Sequence, residues 1–283
     1  MRGIFKRVLC GILSRLGLSD VLKETKVIRY EVVEDESLKG RNILITGGSS
    51  GIGLAIALKC LRCGGNVLIT GRDGEKLESI KIEDATGRLK VMVWDVERDD
   101  EIDAKIEEAL SHFSGRLDVL VNNAGISVRE GFGSLTMGVW NRIMKINLQA
   151  PVFISQQIAN RWMSEKSQGV ILNISSMAGE EPAFDAYGAS KCALASMTKG
   201  MARTLAPYGI RVNAIAPGVV IGTNLREVQR SINPDGNIYC GWIPLRRYAV
   251  PEEIAELAVF AVSDRSSYMT GAVIRCDGAG AIR

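Results

Sequence analysis

Short, almost continuously apolar runs alternate with longer stretches of helical period along most of this chain. Residues 42–46 (NILIT), 66–70 (NVLIT), 90–95 (KVMVWD), 117–121 (LDVLV) and 170–174 (VILNI) have the length and branched apolar content of strands buried on both faces. Residues 54–61, and a run that opens at Tyr187 and passes Met197 towards Leu205, carry helical spacing. Strands joined through helices predict an α/β fold: a single doubly wound (Rossmann-type) parallel sheet with helices on both faces. Such sheets bind ligands beyond the carboxyl ends of their strands, so the residues after each run are the first candidates for a site.

The first run passes directly into Gly47-Gly48-Ser49-Ser50-Gly51-Ile52-Gly53 and then a helix. Strand, glycine-rich turn and helix in this order form a nucleotide-binding unit. Gly47 permits the tight turn, Gly51 lets backbone approach a pyrophosphate, and Gly53 lets the helix close on the strand. Ser49, Ser50 and Ile52 lie beside the N–H groups and positive dipole end that the helix presents to phosphates. The second run ends at Gly71-Arg72, where an adenosine ribose should lie. An acid there accepts from a free ribose 2′-OH; Arg72 instead suits a 2′-phosphate, which predicts NADP(H), with NAD(H) as the lesser alternative. Asp95 and Val96 end the third run beside the expected adenine. The fourth delivers Asn122-Asn123-Ala124-Gly125, of which Asn123, Ala124 and Gly125 are expected against the cofactor.

The fifth run ends in Ser175-Ser176, and Tyr187 and Lys191 stand at i and i+4 on the helix that follows, so both emerge on one face. A tyrosine of pKa about 10 is a poor base at neutral pH, and a nearby ammonium favours its phenolate. A serine hydroxyl can hold a substrate oxygen beside the phenol, so that proton transfer accompanies hydride transfer at the adjoining carbon.

Taken in order, these motifs resemble the short-chain dehydrogenase/reductase superfamily. They are T-G-x-x-x-G-x-G at 46–53, N-N-A-G at 122–125, the Asn of Ile146-Asn147-Leu148, the serine-bearing strand end, Y-x-x-x-K at 187–191, Pro217-Gly218, and Tyr268-Met269-Thr270-Gly271 with Asp277-Gly278. The match runs from about Leu38 to the end and most resembles the 3-oxoacyl-(acyl carrier protein) reductase-like branch. The resemblance implies a ketone–alcohol oxidoreductase acting on a small-molecule carbonyl or alcohol, a 3-oxoacyl thioester reductase or else a sugar, polyol or steroid-type dehydrogenase. A cofactor-binding protein without turnover is the alternative from another class. Tyr187 is then the general acid/base, and Lys191 lowers its pKa and holds the nicotinamide ribose. Ser176, with Ser175 as the alternative, orients the substrate oxygen, and Asn147 positions a relay water. Pro217, Gly218, Val220 and Thr223 complete the cofactor site. A homodimer or homotetramer is expected. Two departures stand out: the loop from Ser176 to Tyr187 is shorter than usual, and Thr223 arrives one place late, with Gly222 in its stead. Residues 224–247 should form a lid, with Tyr239, Trp242 and Ile243 offering apolar contact and Arg226, Arg230, Arg246 and Arg247 offering charge.

Composition narrows the picture. With 46% hydrophobic residues the 283-residue chain can bury a large core, and a dispersed net charge of +3 argues against nucleic acid as a partner. Cys60 and Cys63 form a C-x-x-C inside a helical pattern with no second pair, and His112 is the only histidine, so no metal site is expected. Residues 37–283 read as the catalytic domain. Residues 1–36 read as an extension: Ile4, Phe5, Val8, Leu9, Ile12, Leu13 and Leu16 recur at helical spacing among Arg2, Lys6, Arg7 and Arg15. Three readings of residues 1–18 stand: an interfacial helix in peripheral contact with an anionic membrane, a mitochondrial-type transit peptide, or a helix packed on the domain or a second subunit. A cytoplasmic enzyme, with or without that membrane contact, is the expectation. Residues 26–33 read as a short strand and residues 34–36 as a solvated linker.

Overall fold

The computed structural model describes residues 35–128, 130–222 and 239–282. The amphipathic residues 1–18, the strand expected at 26–33 and most of the expected lid lie outside them.

Seven parallel strands form one sheet: β1 (Asn42–Ile45), β2 (Asn66–Gly71), β3 (Leu89–Val93), β4 (Val119–Asn122), β5 (Gly169–Ile174), β6 (Ile210–Pro217) and β7 (Val273–Cys276), in the order β3-β2-β1-β4-β5-β6-β7. The expected fold class is the observed one. Pairing is in simple register, with Leu44 opposite Leu68 on one side and Leu120 on the other. The helices are α1 (Gly51–Arg62), α2 (Gly74–Ile82), α3 (Ile102–Ser111), α4 (Met137–Met144), α5 (Ala150–Ser164), α6 (Ala186–Leu205) and α7 (Pro251–Val262).

Although the central strands are mostly apolar, their side chains divide by parity. Ile43, Ile45, Val67, Ile69, Val119, Val121, Leu172 and Ile215 pack with Ile56, Cys60 and Leu61 of α1 and Ile254, Ala258 and Val262 of α7. Leu44, Leu68, Leu120, Ile171 and Val212 face the other way, onto Ile106 and Leu110 of α3, Ile154 and Ile158 of α5 and Leu205 of α6. Cys60 and Cys63 belong to the first of these cores, and burial pushes both thiols up, away from reactivity. Residue 35 is not merely solvated, as expected of a linker. The Asp35 carboxylate accepts from Ser37 N at 2.9 Å and meets Arg265 at 2.5 Å, and its pKa falls to about 2. No helix among the described residues is long and apolar enough to cross a membrane.

The strand order reverses between β1 and β4, where the chain, having run outward to β3, returns to build the other half of the sheet. The crevice left at that reversal, beyond the strand ends, is where the site lies.

Candidate active site

A cleft of about 1060 Å³ opens along the carboxyl ends of the strands, at the upper end of the size usual for small-molecule sites. Of the cofactor residues expected from sequence, Gly47, Ser49, Ser50, Gly51, Ile52, Arg72, Asp95, Val96, Asn123, Ala124, Gly125, Tyr187, Lys191, Pro217, Gly218 and Val220 line it. Gly53 does not, and Thr223 lies outside the described residues. Asp73, Lys76, Trp94, Ile126, Ser127 and Ile146 also line it and were not foreseen. Lys76 stands i+4 from Arg72 and Trp94 directly precedes Asp95, signals that were present but point to a cleft only once β2 and β3 are paired.

The nucleotide end is shaped by glycines where backbones meet. Gly47 has φ +66°, and a Cβ on it would stand 2.8 Å from Ala124 Cα. A Cβ on Gly53 would lie 2.4 Å from Gly47 O and 2.3 Å from Asn123 Nδ2, so this glycine lets α1 close on the turn and on the end of β4. The Asn123 side chain ties the same parts together, donating to Thr46 O at 3.1 Å and to Gly47 O at 2.8 Å. The first turn of α1 thus reaches the cleft with its N–H groups forward, a cradle suited to a diphosphate. At the end of β2, Asp73 caps α2 by accepting from Lys76 N at 3.0 Å.

The other end of the cleft is built on β5 and α6. Asp185 caps α6, accepting from Gly188 N at 2.7 Å, and so orients the helical turn that carries Tyr187. The two serines diverge because successive residues leave a strand on opposite sides. Both line the cleft; Ser175 Oγ donates to Lys191 O at 3.2 Å, while Ser176 Oγ, close enough to the Tyr187 phenol to lower its pKa, accepts from Ala178 N at 3.2 Å. Lys191 Nζ donates to Ile174 O at 2.8 Å and lies 5.8 Å from the centre of the Tyr187 ring.

Asn147 sits in a π-helical turn, Lys145–Gln149, joining α4 to α5. It is fully buried and does not line the cleft. Its Oδ1 accepts from Ile126 N and its Nδ2 donates to Ile126 O, both at 2.8 Å, with Ser190 Oγ at 3.2 Å. The side chain therefore clamps the segment after β4 against α6, while Ile146 faces the cleft. Behind it runs a buried polar chain, from Ser155 through Asn122 and Asn173 to Thr198, with each link at 2.9 Å.

The electrostatics depart from the expectation that Lys191 makes Tyr187 acidic. Burial is the largest effect on the phenol and raises its pKa above the ordinary tyrosine value; the nearby Ser176 hydroxyl offsets this in part, and the Asp185 charge adds to it. Burial also lowers Lys191, to about 8. The site holds a neutral phenol beside a lysine that is mostly cationic at pH 7.

The expected lid residues divide where they are described. Ile243 is buried against Gly278, and Trp242 packs on Gly280 with more than half its surface exposed. Arg247 is not available as a substrate charge: its two terminal nitrogens each meet a Glu253 carboxylate oxygen at 2.7 Å, and the same carboxylate accepts from Val250 N at the start of α7.

Comparison with known proteins agrees with this architecture. The family model described as enoyl-(acyl carrier protein) reductase matches residues 47–279. The chain is 38% identical over 252 residues to the Bacillus subtilis (strain 168) protein named "probable 2,4-dienoyl-CoA reductase [(2E)-enoyl-CoA-producing]", covering 85% of this chain and 96% of that one. It is 36% identical over 245 residues to the 3-oxoacyl-[acyl-carrier-protein] reductase FabG of Thermotoga maritima, covering 85% and 98%. A crystal structure of a short chain dehydrogenase from Bacillus anthracis superposes with a TM-score of 0.75 at 34% identity, covering 86% of this chain and 97% of that one.

Proposed function

The chain belongs to the short-chain dehydrogenase/reductase family of nicotinamide-dependent oxidoreductases, and on that premise we propose that it reduces a 3-oxoacyl thioester or similar ketone with NADPH. The observation that carries this reading is that Ser176, Tyr187 and Lys191 line the same cleft, with the Lys191 ammonium 5.8 Å from the centre of the Tyr187 ring.

The residues present suit the dinucleotide. The turn at 47–53 and the start of α1 would hold the diphosphate and Arg72 the 2′-phosphate, and Asp95 and Val96 would border the adenine. Lys191, whose ammonium uses one proton on Ile174 O, has donors left for ribose hydroxyls. The bound coenzyme supplies the hydride. Ser176 and Tyr187 together hold the substrate oxygen, and Tyr187, a neutral phenol, gives that oxygen its proton as the carbonyl carbon is reduced, leaving a secondary alcohol. Asn147 serves as a positioning residue, fixing Ile126 and Ser190 beside the reacting groups. The raised phenol pKa keeps Tyr187 protonated at neutral pH, the form that donates in a reduction. A thioester substrate draws support from the two relatives, whose names speak of acyl groups on coenzyme A and on acyl carrier protein.

The test is NADPH oxidation by the full chain against a panel of 3-oxoacyl thioesters and simple ketones, with the alcohol product identified. Failure with every ketone, or equal turnover by Tyr187→Phe, would overturn the proposal.

A further inference from the structure

We propose that Lys76 is a second cation for the coenzyme's 2′-phosphate, acting with Arg72; the inference rests on the NADP(H) reading above. Nothing in the sequence singled this lysine out. It lines the cleft with Arg72, Ser49 and Gly71, at the end farthest along the sheet from Tyr187. Asp73 sets its position: by accepting from Lys76 N at 3.0 Å, the carboxylate fixes the first turn of α2 and with it the direction in which Lys76 leaves the helix.

Charge makes the placement informative. Among the described residues neither Arg72 nor Lys76 has a side-chain ion pair or hydrogen bond. Elsewhere on the surface cations are mostly taken: Lys81, on the same helix, meets Glu78 at 3.3 Å, and Arg88 donates to Leu61 O at 2.8 Å. The two acids that line this end each hold backbone, Asp73 at Lys76 N and Asp95 at Glu97 N at 3.1 Å; the remaining acid in the first turn of α2 is the exposed Glu75. A phosphate monoester carries about −1.5 to −2 at neutral pH, more than one guanidinium neutralises, and the local acids add to the deficit. A second ammonium, on the first turn of α2 four residues after Arg72, supplies the missing charge.

The test is calorimetric binding of 2′,5′-ADP and 5′-AMP to the full chain at low salt, which needs no turnover. Lys76 is exposed, so Lys76→Met leaves the core intact. The wild type should bind 2′,5′-ADP more tightly than 5′-AMP. Lys76→Met should weaken 2′,5′-ADP about five- to tenfold and leave 5′-AMP within about twofold, since the lost contact is charge-assisted but partly screened. Lys76→Arg should restore most of the loss. An unchanged ratio in Lys76→Met, in a wild type that does discriminate, overturns the role of Lys76 alone. A wild type that binds both nucleotides equally overturns the NADP(H) reading beneath it.

Discussion

Lys191 holds its ammonium 2.8 Å from the carbonyl oxygen of Ile174, the last residue of β5, so the cation is pinned to the strand whose end carries both serines. The bond ties the helix bearing the phenol to the strand bearing its partner hydroxyl. It also leaves the lysine buried, and burial lowers its pKa to about 8.

That value predicts a pH dependence. Lys191 is cationic below about 8 and neutral above it, and Tyr187, raised above its ordinary pKa, stays protonated across the same window. kcat/KM for NADPH, which reports groups of the free protein, should therefore be high near pH 7 and fall as pH rises through about 8. A profile flat to pH 10 would remove the lysine's charge from the reaction.

Tyr187→Phe removes the proton donor and retains the ring. Turnover should drop by about 10²–10⁴-fold, the usual contribution of a positioned acid, while coenzyme affinity measured by fluorescence changes little. Comparable losses in binding and turnover would instead mark Tyr187 as a packing residue.

The serines should separate cleanly. Ser176→Ala should lower kcat strongly with little change in melting temperature. Ser175→Ala should lose about 1 kcal/mol of stability through its bond to Lys191 O and stay near wild-type turnover. The reverse pattern would exchange their roles.

Gly53→Ala tests the cradle. The added methyl would stand 2.4 Å from Gly47 O and 2.3 Å from Asn123 Nδ2, so the turn, α1 or the end of β4 must move. We expect destabilisation of about 1–3 kcal/mol by denaturant unfolding, together with weaker dinucleotide binding. A variant that melts and binds as wild type would show that the turn has room to relax.

Arg72→Asp should cut NADPH affinity while leaving NADH binding equal or stronger, because a carboxylate repels the 2′-phosphate and accepts from a free 2′-OH. An unchanged preference in titrations with both coenzymes would remove Arg72 from coenzyme selection.

The residue order by itself determined the strand–turn–helix unit at 42–61, the pairing of Tyr187 with Lys191 on one helical face, and many but not all of the strand-end residues that border the cleft. These depend on local periodicity and on where ligands bind a doubly wound sheet, both of which act over short stretches of chain. Tertiary structure alone set Ser176 beside the Tyr187 phenol and Ser175 on the Lys191 carbonyl, since a shift of one residue along a strand end reverses the face and nothing local says which face meets α6. It decided that Asn147 grips Ile126 from a π-turn, which has no signature in helical spacing, and that Arg247 belongs to Glu253. It also set the sign of the phenol's pKa: an ammonium four residues away pulls downward, but burial by distant parts of the chain is the larger effect.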